Sequence, residues 1–244
     1  MVICSTFKKF IQKFLGTFSL TLANLHRVPD WNQSFEILRH YSLIPKTVFD
    51  IGVANGTPNL YAAFPDAYYH LFDPTRESIQ HMEQIAKRHM ATIYTVGLAV
   101  REGEAEIAVR AEIGGSSMLT EVGRAEITDR YKVPLNRFDA LIPAGIERPA
   151  LAKIDVQGAE IGVLRGMEGR LGELDAILIE TSLIATLIDG PEFRDVFRFF
   201  DRHDWVLADI PGLVRRPLDG GVAQIDALFV PATSPIRADK RWRE

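Results

Sequence analysis

The sequence predicts an α/β protein built on a doubly wound, mostly parallel sheet of seven strands. Three observations carry that prediction. Short apolar, strand-like runs alternate with segments of helical period from about residue 45 onward. Acids end those runs or follow them directly, at Asp50, Asp73, Asp155 and Glu180. The first run passes through Asp50-Ile51-Gly52-Val53-Ala54-Asn55-Gly56 into a helix opened by Thr57-Pro58. A strand that turns through glycine into a helix brings backbone N–H groups to the strand's carboxyl edge, where nucleotide-type cofactors dock.

The elements follow in order. Phe35, Leu38, Tyr41 and Leu43 or Ile44 give a helix over 31 to 44, closed by Pro45. A strand covers about 47 to 51, and Thr57 is the cap residue of a short helix with Pro58 at its first position. Tyr68 to Phe72 is a second strand, 76 to 90 a longer helix, and Ile93 to Val100 a third strand. Between Glu104 and Ala111 the pattern changes to a period of two, with Tyr131 to Leu135 as a returning strand. Residues 102 to 137 therefore read as a β-hairpin insertion with a lid-like tip at Gly114-Gly115-Ser116-Ser117. The wound order resumes with a strand at Ala150 to Val156 and a helix opened by Gly158. Ala176 to Glu180, apolar enough to be covered on both faces, is the next strand. A helix after Pro191 and two closing strands at Trp205 to Ala208 and Asp226 to Val230 complete the domain. The division is thus an N-terminal helical segment, 1 to 44, a main domain, 45 to 236, and a polar tail, 237 to 244.

Composition bounds the function. The 244 residues suffice for one large core, and 47% hydrophobic with 25% charged residues is ordinary for a globular protein. A net charge of −4 argues against a nucleic-acid partner. Cys4 is the only cysteine, so neither an intrachain disulfide nor a cysteine zinc site can form, which fits the cytoplasm. No apolar run is long enough to span a membrane. Near the N-terminus Phe7, Phe10, Ile11, Phe14, Leu15 and Phe18 fall at helical spacing, with Lys8, Lys9 and Lys13 between them. Three readings stay open for this helix: packing on its own domain or a homodimer partner, peripheral membrane contact, or a cleaved leader.

The strand-end acids are the candidate site. The carboxyl ends of parallel strands share one sheet edge, so Asp50, Asp73, Asp155 and Glu180 converge on one crevice. The dinucleotide pattern G-x-G-x-x-G fails, because positions 52, 54 and 57 are Gly, Ala and Thr. The pattern present is D-x-G-x-x-x-G, from Asp50 through Gly52 to Gly56.

That pattern resembles the S-adenosylmethionine-binding motif of class I methyltransferases, with Asp73 where that Rossmann-like fold places its ribose-binding acid. A second stretch narrows the resemblance. Lys153-Ile154-Asp155-Val156-Gln157-Gly158-Ala159-Glu160, continuing to Val163-Leu164-Arg165-Gly166, resembles the K-I-D-x-E-G-x-E-x-x-V-L-x-G signature of FkbM-type methyltransferases. Val133 to Leu141 and the Gly-Gly-Ser-Ser-Met loop at 114 to 118 resemble further segments of that family. There are departures. The usual D-x-G-A-N-x-G puts Asn where Ala54 stands, one residue before Asn55, while Gln157 and Asp73 each replace a Glu.

The resemblance implies an S-adenosylmethionine-dependent O-methyltransferase acting on a hydroxyl of a sugar, glycolipid or polyketide-like acceptor. Asp50, Gly52, Ala54, Asn55, Gly56, Asp73 and Asp155 would surround the cofactor, with Gly97, Leu98 and Ala99 bordering the adenine. Asp50 would hydrogen-bond the cofactor or loop N–H groups. Methyl transfer to a hydroxyl needs a positioned, partly deprotonated nucleophile, and Asp155 with Glu180 are the catalytic candidates. Each has a bland alternative: Asp155 as a helix cap, Glu160 as a first-turn acid favoured by the macrodipole, Asp139 as a loop-fixing residue. The six histidines show no ligand spacing and no metal is expected; His70 and His81 read as strand and helix surface. A non-catalytic protein that keeps this fold for binding or assembly is the alternative function, and a nicotinamide-dependent oxidoreductase a third.

Overall fold

The computed structural model describes residues 29–120 and 127–242. The predicted amphipathic helix over residues 7 to 18 lies outside them. The elements are α1 (Trp31–His40), β1 (Thr47–Ile51), α2 (Pro58–Ala63), β2 (Tyr68–Phe72), α3 (Arg76–Ala86) and β3 (Ala91–Tyr94). Then come β4 (Gly97–Leu98), β5 (Gly103–Arg110), β6 (Ile127–Asn136), α4 (Phe138–Leu141), β7 (Ala150–Ile154) and α5 (Glu160–Gly166). Strand β8 (Ala176–Ser182), helix α6 (Phe193–Arg202) and strands β9 (Trp205–Arg215) and β10 (Val222–Pro231) close the chain.

Seven strands form one sheet in the order β3-β2-β1-β7-β8-β10-β9. Strands β3, β2, β1, β7 and β8 pair in parallel, while β10 runs antiparallel to both neighbours. This is the doubly wound, mostly parallel sheet expected from the sequence. Its strands are covered on both faces, so β1 and β7 are buried at every position. One face packs Phe49, Ile154, Val163, Leu164 and Phe200 under α4, α5 and α6; the other packs Phe35, Leu60, Leu71 and Met82 under α1, α2 and α3.

Several boundaries differ from expectation. The predicted third strand breaks after Tyr94, and Gly97-Leu98 instead joins a separate three-stranded sheet beside β6. Glycine at 97 permits this, because a Cβ there would lie 2.8 Å from the Leu135 side chain. Helix α1 stops at His40, where Ser42 takes a positive φ, rather than running to Pro45. Thr57 makes no side-chain capping bond to α2. Helix α5 begins at Glu160, because Gln157 and Gly158 both take positive φ and cannot start a right-handed helix. The closing strands β9 and β10 extend well past their apolar cores, forming a long antiparallel pair. Strands β5 and β6 pair antiparallel, with the chain between them folding back so that Ser117 bridges Ala108.

Candidate active site

The turn after β1 is tied to its neighbours by backbone. Gly52 N–H donates to the Phe72 carbonyl at 2.9 Å, and Asp155 N–H donates to the Ile51 carbonyl at 2.9 Å. Gly52 adopts φ +81°, and a Cβ there would lie 1.7 Å from the Asp155 carbonyl oxygen. Only glycine lets β1 and β7 end this close together. Ala54 follows at φ +48°, a left-handed conformation that alanine rarely takes.

Asp73 holds that turn in place. Its Oδ2 accepts from the Ala54 N–H at 2.8 Å, and its Oδ1 accepts from the Thr75 N–H and hydroxyl at 2.9 and 2.5 Å. The carboxylate predicted for the ribose thus binds the chain itself through both oxygens. One acceptor direction on Oδ2 is left for a ligand.

Asp50 corrects the expectation made for it. It is fully buried, and its Oδ2 accepts from the Tyr61 hydroxyl rather than from loop N–H groups. Its Oδ1 faces Lys153 Nζ at 3.3 Å, while that ammonium donates to the Gly52 carbonyl at 2.5 Å. Burial alone would lower the Lys153 pKa, but the carboxylates of Asp50 and Asp155 outweigh it and hold it above the usual lysine range. Desolvation and the Asp50 charge together push the Tyr61 phenol well above its ordinary pKa. Asp50 therefore shapes the turn from beneath.

Asp155 and Glu180 are joined through Gln157. The Gln157 amide nitrogen donates to Asp155 Oδ1 at 2.8 Å and to Glu180 Oε1 at 2.7 Å. Gln224 donates to the same Glu180 oxygen at 2.8 Å. Burial, then the charges of Asp155 and Asp226, raise the Glu180 pKa to about 8. Asp226, the direct cross-strand partner of Glu180, is itself raised by burial and accepts from the Trp31 indole at 2.7 Å. Asp155 caps no helix. No side chain caps α5; Glu160, its first residue, accepts from the Gly158 N–H at 2.8 Å, and burial raises its pKa to about 7. Asp139, in the first turn of α4, accepts from both donors of the Arg137 guanidinium fork. His70 is half-buried and stacked on Phe49 rather than exposed, and burial lowers its pKa to about 4.

Three adjoining cavities meet at these residues. A narrow slot of about 60 Å³ is lined by Gly52, Ala54, Asp73, Gly97, Leu98 and Asp155, and covered by Gly114, Ser116, Ser117 and Met118. Asn55 and Gly56 line a second cavity of about 260 Å³, with Trp31 and Lys153 opposite. Glu180 lines a third, of about 550 Å³, shared with Glu160, Thr186, Arg215 and Leu218. Gln157 lines both the first and the third. Ala99 lines none of them; its N–H bonds the Asn136 carbonyl, and its own carbonyl abuts Gly166. The cover is latched where the Ser117 hydroxyl donates to the Gln157 carbonyl at 2.7 Å. Among the described residues no cluster of three or more His, Cys, Asp or Glu suits a metal ion, and no helix is long and apolar enough to cross a membrane.

Sequence reasoning placed Lys153 and Gln157 in the FkbM-type signature without giving them a role in the site, and missed Trp31 and Asp226. The signature itself, with a lysine inside an otherwise apolar strand, was the available signal for the first two. The comparison that decides the family is with its model: residues 50–206 match the methyltransferase FkbM domain. The chain belongs to the FkbM methyltransferase family. No curated protein matches the chain. Among solved structures, an rRNA methylase from Streptococcus thermophilus aligns at 12% identity and TM-score 0.46, covering 86% of this chain and 99% of that one. The bifunctional kinase-methyltransferase WbdD aligns at 15% identity and TM-score 0.47, over 83% of this chain and 40% of that one. A 1,6-didemethyltoxoflavin-N1-methyltransferase from Burkholderia thailandensis, with S-adenosylhomocysteine bound, aligns at 12% identity and TM-score 0.43, over 82% and 77%. For the FkbM family the sheet seen here is the expected scaffold, and its carboxyl edge is where the three cavities open.

Proposed function

We propose that this FkbM-family methyltransferase uses S-adenosylmethionine to methylate a hydroxyl of a sugar, glycolipid or polyketide-like acceptor. On this reading the acceptor is a small molecule or glycan and the setting is the cytoplasm. One observation carries it: Gln157 couples Asp155, at the slot beside the glycine turn, to Glu180, in the larger cavity.

The residues suit the cofactor. Leu98, Ile107, Met118 and Val156 make an apolar slot for a flat heterocycle, Asp73 offers an acceptor at its edge, and Asp155 offers an anion to a cationic centre. The slot as it stands is smaller than an adenosine, so the 113–118 cover must lift for entry. When bound, the cofactor supplies an electrophilic methyl group on a sulfonium. The chain's part is to orient and deprotonate the acceptor. Glu180, which lines the larger cavity, would take the proton of an acceptor hydroxyl held there. A carboxylate raised to about 8 is near its ideal for that task at neutral pH. Asp155, kept in place by Gln157 and 3.7 Å from Lys153 Nζ, supplies the negative charge facing the slot.

Calorimetry with S-adenosylmethionine and with NAD separates the competing functions. Saturable binding of the former alone is expected; NAD binding alone would support the oxidoreductase, and binding of neither would support the assembly role. Transfer of labelled methyl to sugar or glycolipid hydroxyls then tests the acceptor class. Asp155→Asn is expected to weaken S-adenosylmethionine binding, since it removes the negative charge facing the slot, whereas Glu180→Gln is expected to lose turnover with cofactor affinity little changed.

A further inference from the structure

A second concavity lies away from the strand edge, on the outer surface of α5 and α6, and shares no lining residue with the cavities described above. It has a volume of about 700 Å³, the size of a pocket for a nucleotide-sized molecule. Its lining is mostly polar, with Val100, Ile161 and Phe199 as its apolar side chains. Its walls carry Arg165 from the last turn of α5, and Arg198 and Arg202 one turn apart on α6.

These three arginines are exposed and share one concavity. Elsewhere on the surface a basic side chain commonly takes a carboxylate, as in Arg39–Glu36, Lys46–Glu147, Arg148–Asp175 and Arg216–Asp219. Arg165, Arg198 and Arg202 have no hydrogen-bond or ion-pair partner among the described residues. The cleft also holds two carboxylates, each hydrogen-bonded to a group other than these arginines. Glu168 accepts from His203 at 2.8 Å, and Asp195 accepts from the Glu192 N–H at 3.1 Å within a capping box. Arg137, at the rim, forks onto Asp139. Three exposed guanidiniums, none in ion-pair contact with a carboxylate among the described residues, thus share one cleft.

We propose that this cleft binds a soluble organic molecule carrying two or more phosphate groups. Guanidinium forks match phosphate oxygens bidentately, and Val100, Ile161 and Phe199 offer apolar contact to the molecule's organic part. A polynucleotide is the poorer fit, since the chain is net acidic at −4 and the cationic groups are gathered in one cleft. The inference does not rest on the methyl-transfer reading.

The test is calorimetry of the full chain with inorganic tripolyphosphate and then ATP, with S-adenosylhomocysteine present to fill the cofactor slot. One saturable site is expected, weakened by about tenfold or more in Arg165→Gln/Arg198→Gln/Arg202→Gln. The variant's affinity for S-adenosylhomocysteine and its melting temperature should match the wild type, since all three side chains are exposed. If the triple variant melts early, single Arg202→Gln replaces it, with a severalfold loss expected. No saturable tripolyphosphate binding, or equal binding by the variants, overturns the proposal. So does binding of single-stranded RNA or phosphatidylglycerol vesicles through these arginines when tripolyphosphate does not bind.

Discussion

Lys153 Nζ lies 3.3 Å from Asp50 Oδ1, and the two residues are direct partners across β1 and β7. Neither side chain is more than 5% exposed. Removing one partner strands the other in the core, which costs about 3–5 kcal/mol. Lys153→Ala should therefore unfold at markedly lower denaturant, while Asp50→Asn/Lys153→Met should recover much of the loss. The pH dependence has a definite sign. Lys153 has a folded pKa above its unfolded one, so its contribution is full below the ordinary lysine pKa and is lost as pH rises through the raised value. Urea titrations between pH 8 and 11 check this; a lysine contribution that grows over that range would refute it.

Glu180 makes the opposite prediction. Burial and neighbouring acids raise its pKa to about 8, so the folded state holds the proton more tightly than the unfolded chain. Stability should fall as pH rises from the ordinary glutamate range through 8, and Glu180→Gln should flatten that decline. If Glu180 takes the acceptor proton, kcat/KM should climb with pH to a plateau above 8. In Glu180→Gln that limb should vanish and the rate drop by about 100- to 10,000-fold.

Much of this was legible in the sequence, and the rest was not, for physical reasons. The strands and their order show in local apolar runs, and the convergence of Asp50, Asp73, Asp155 and Glu180 at one edge follows from parallel pairing. The work each acid does depends on partners far away in the chain. Asp50 faces Lys153, 103 residues later, through cross-strand register, which local pattern does not encode. The Trp31–Asp226 bond spans 195 residues in the same way. The departure of Gly97-Leu98 into the smaller sheet was hidden because its apolar character suits either sheet.

Gly52→Ala tests how tightly the two central strands end together. The new methyl would overlap the Asp155 carbonyl, and the backbone would hold alanine at φ +81°. Overpacking and left-handed strain together should cost about 2–4 kcal/mol. Because the strain falls on the turn itself, S-adenosylmethionine affinity should fall with stability. Thermal melts and calorimetry measure both, and an unchanged affinity would remove the turn from the cofactor site.

Ser117 latches the cover over the slot through its bond to the Gln157 carbonyl. Ser117→Ala should remove the latch and leave the apolar cover intact. Backbone amides of Gly114 to Met118 should then exchange faster with deuterium, and cofactor association should speed up if lifting of the cover limits entry. Unchanged exchange would mean that packing of Ile113 and Met118 holds the cover without the hydroxyl.

Ala54 occupies the position where the family pattern carries Asn, and the structure supplies a physical reason for that preference. Its φ of +48° is left-handed, where Asn is tolerated far better than Ala and Gly best of all. Alanine here costs about 1 kcal/mol relative to glycine. Ala54→Gly and Ala54→Asn should each raise the melting temperature, an uncommon outcome for a substitution beside a binding site. The Ala54 N–H bond to Asp73 survives either change, so cofactor affinity should hold or improve. Destabilisation by both variants would show that the turn is not left-handed at 54, and the slot geometry would need revision there.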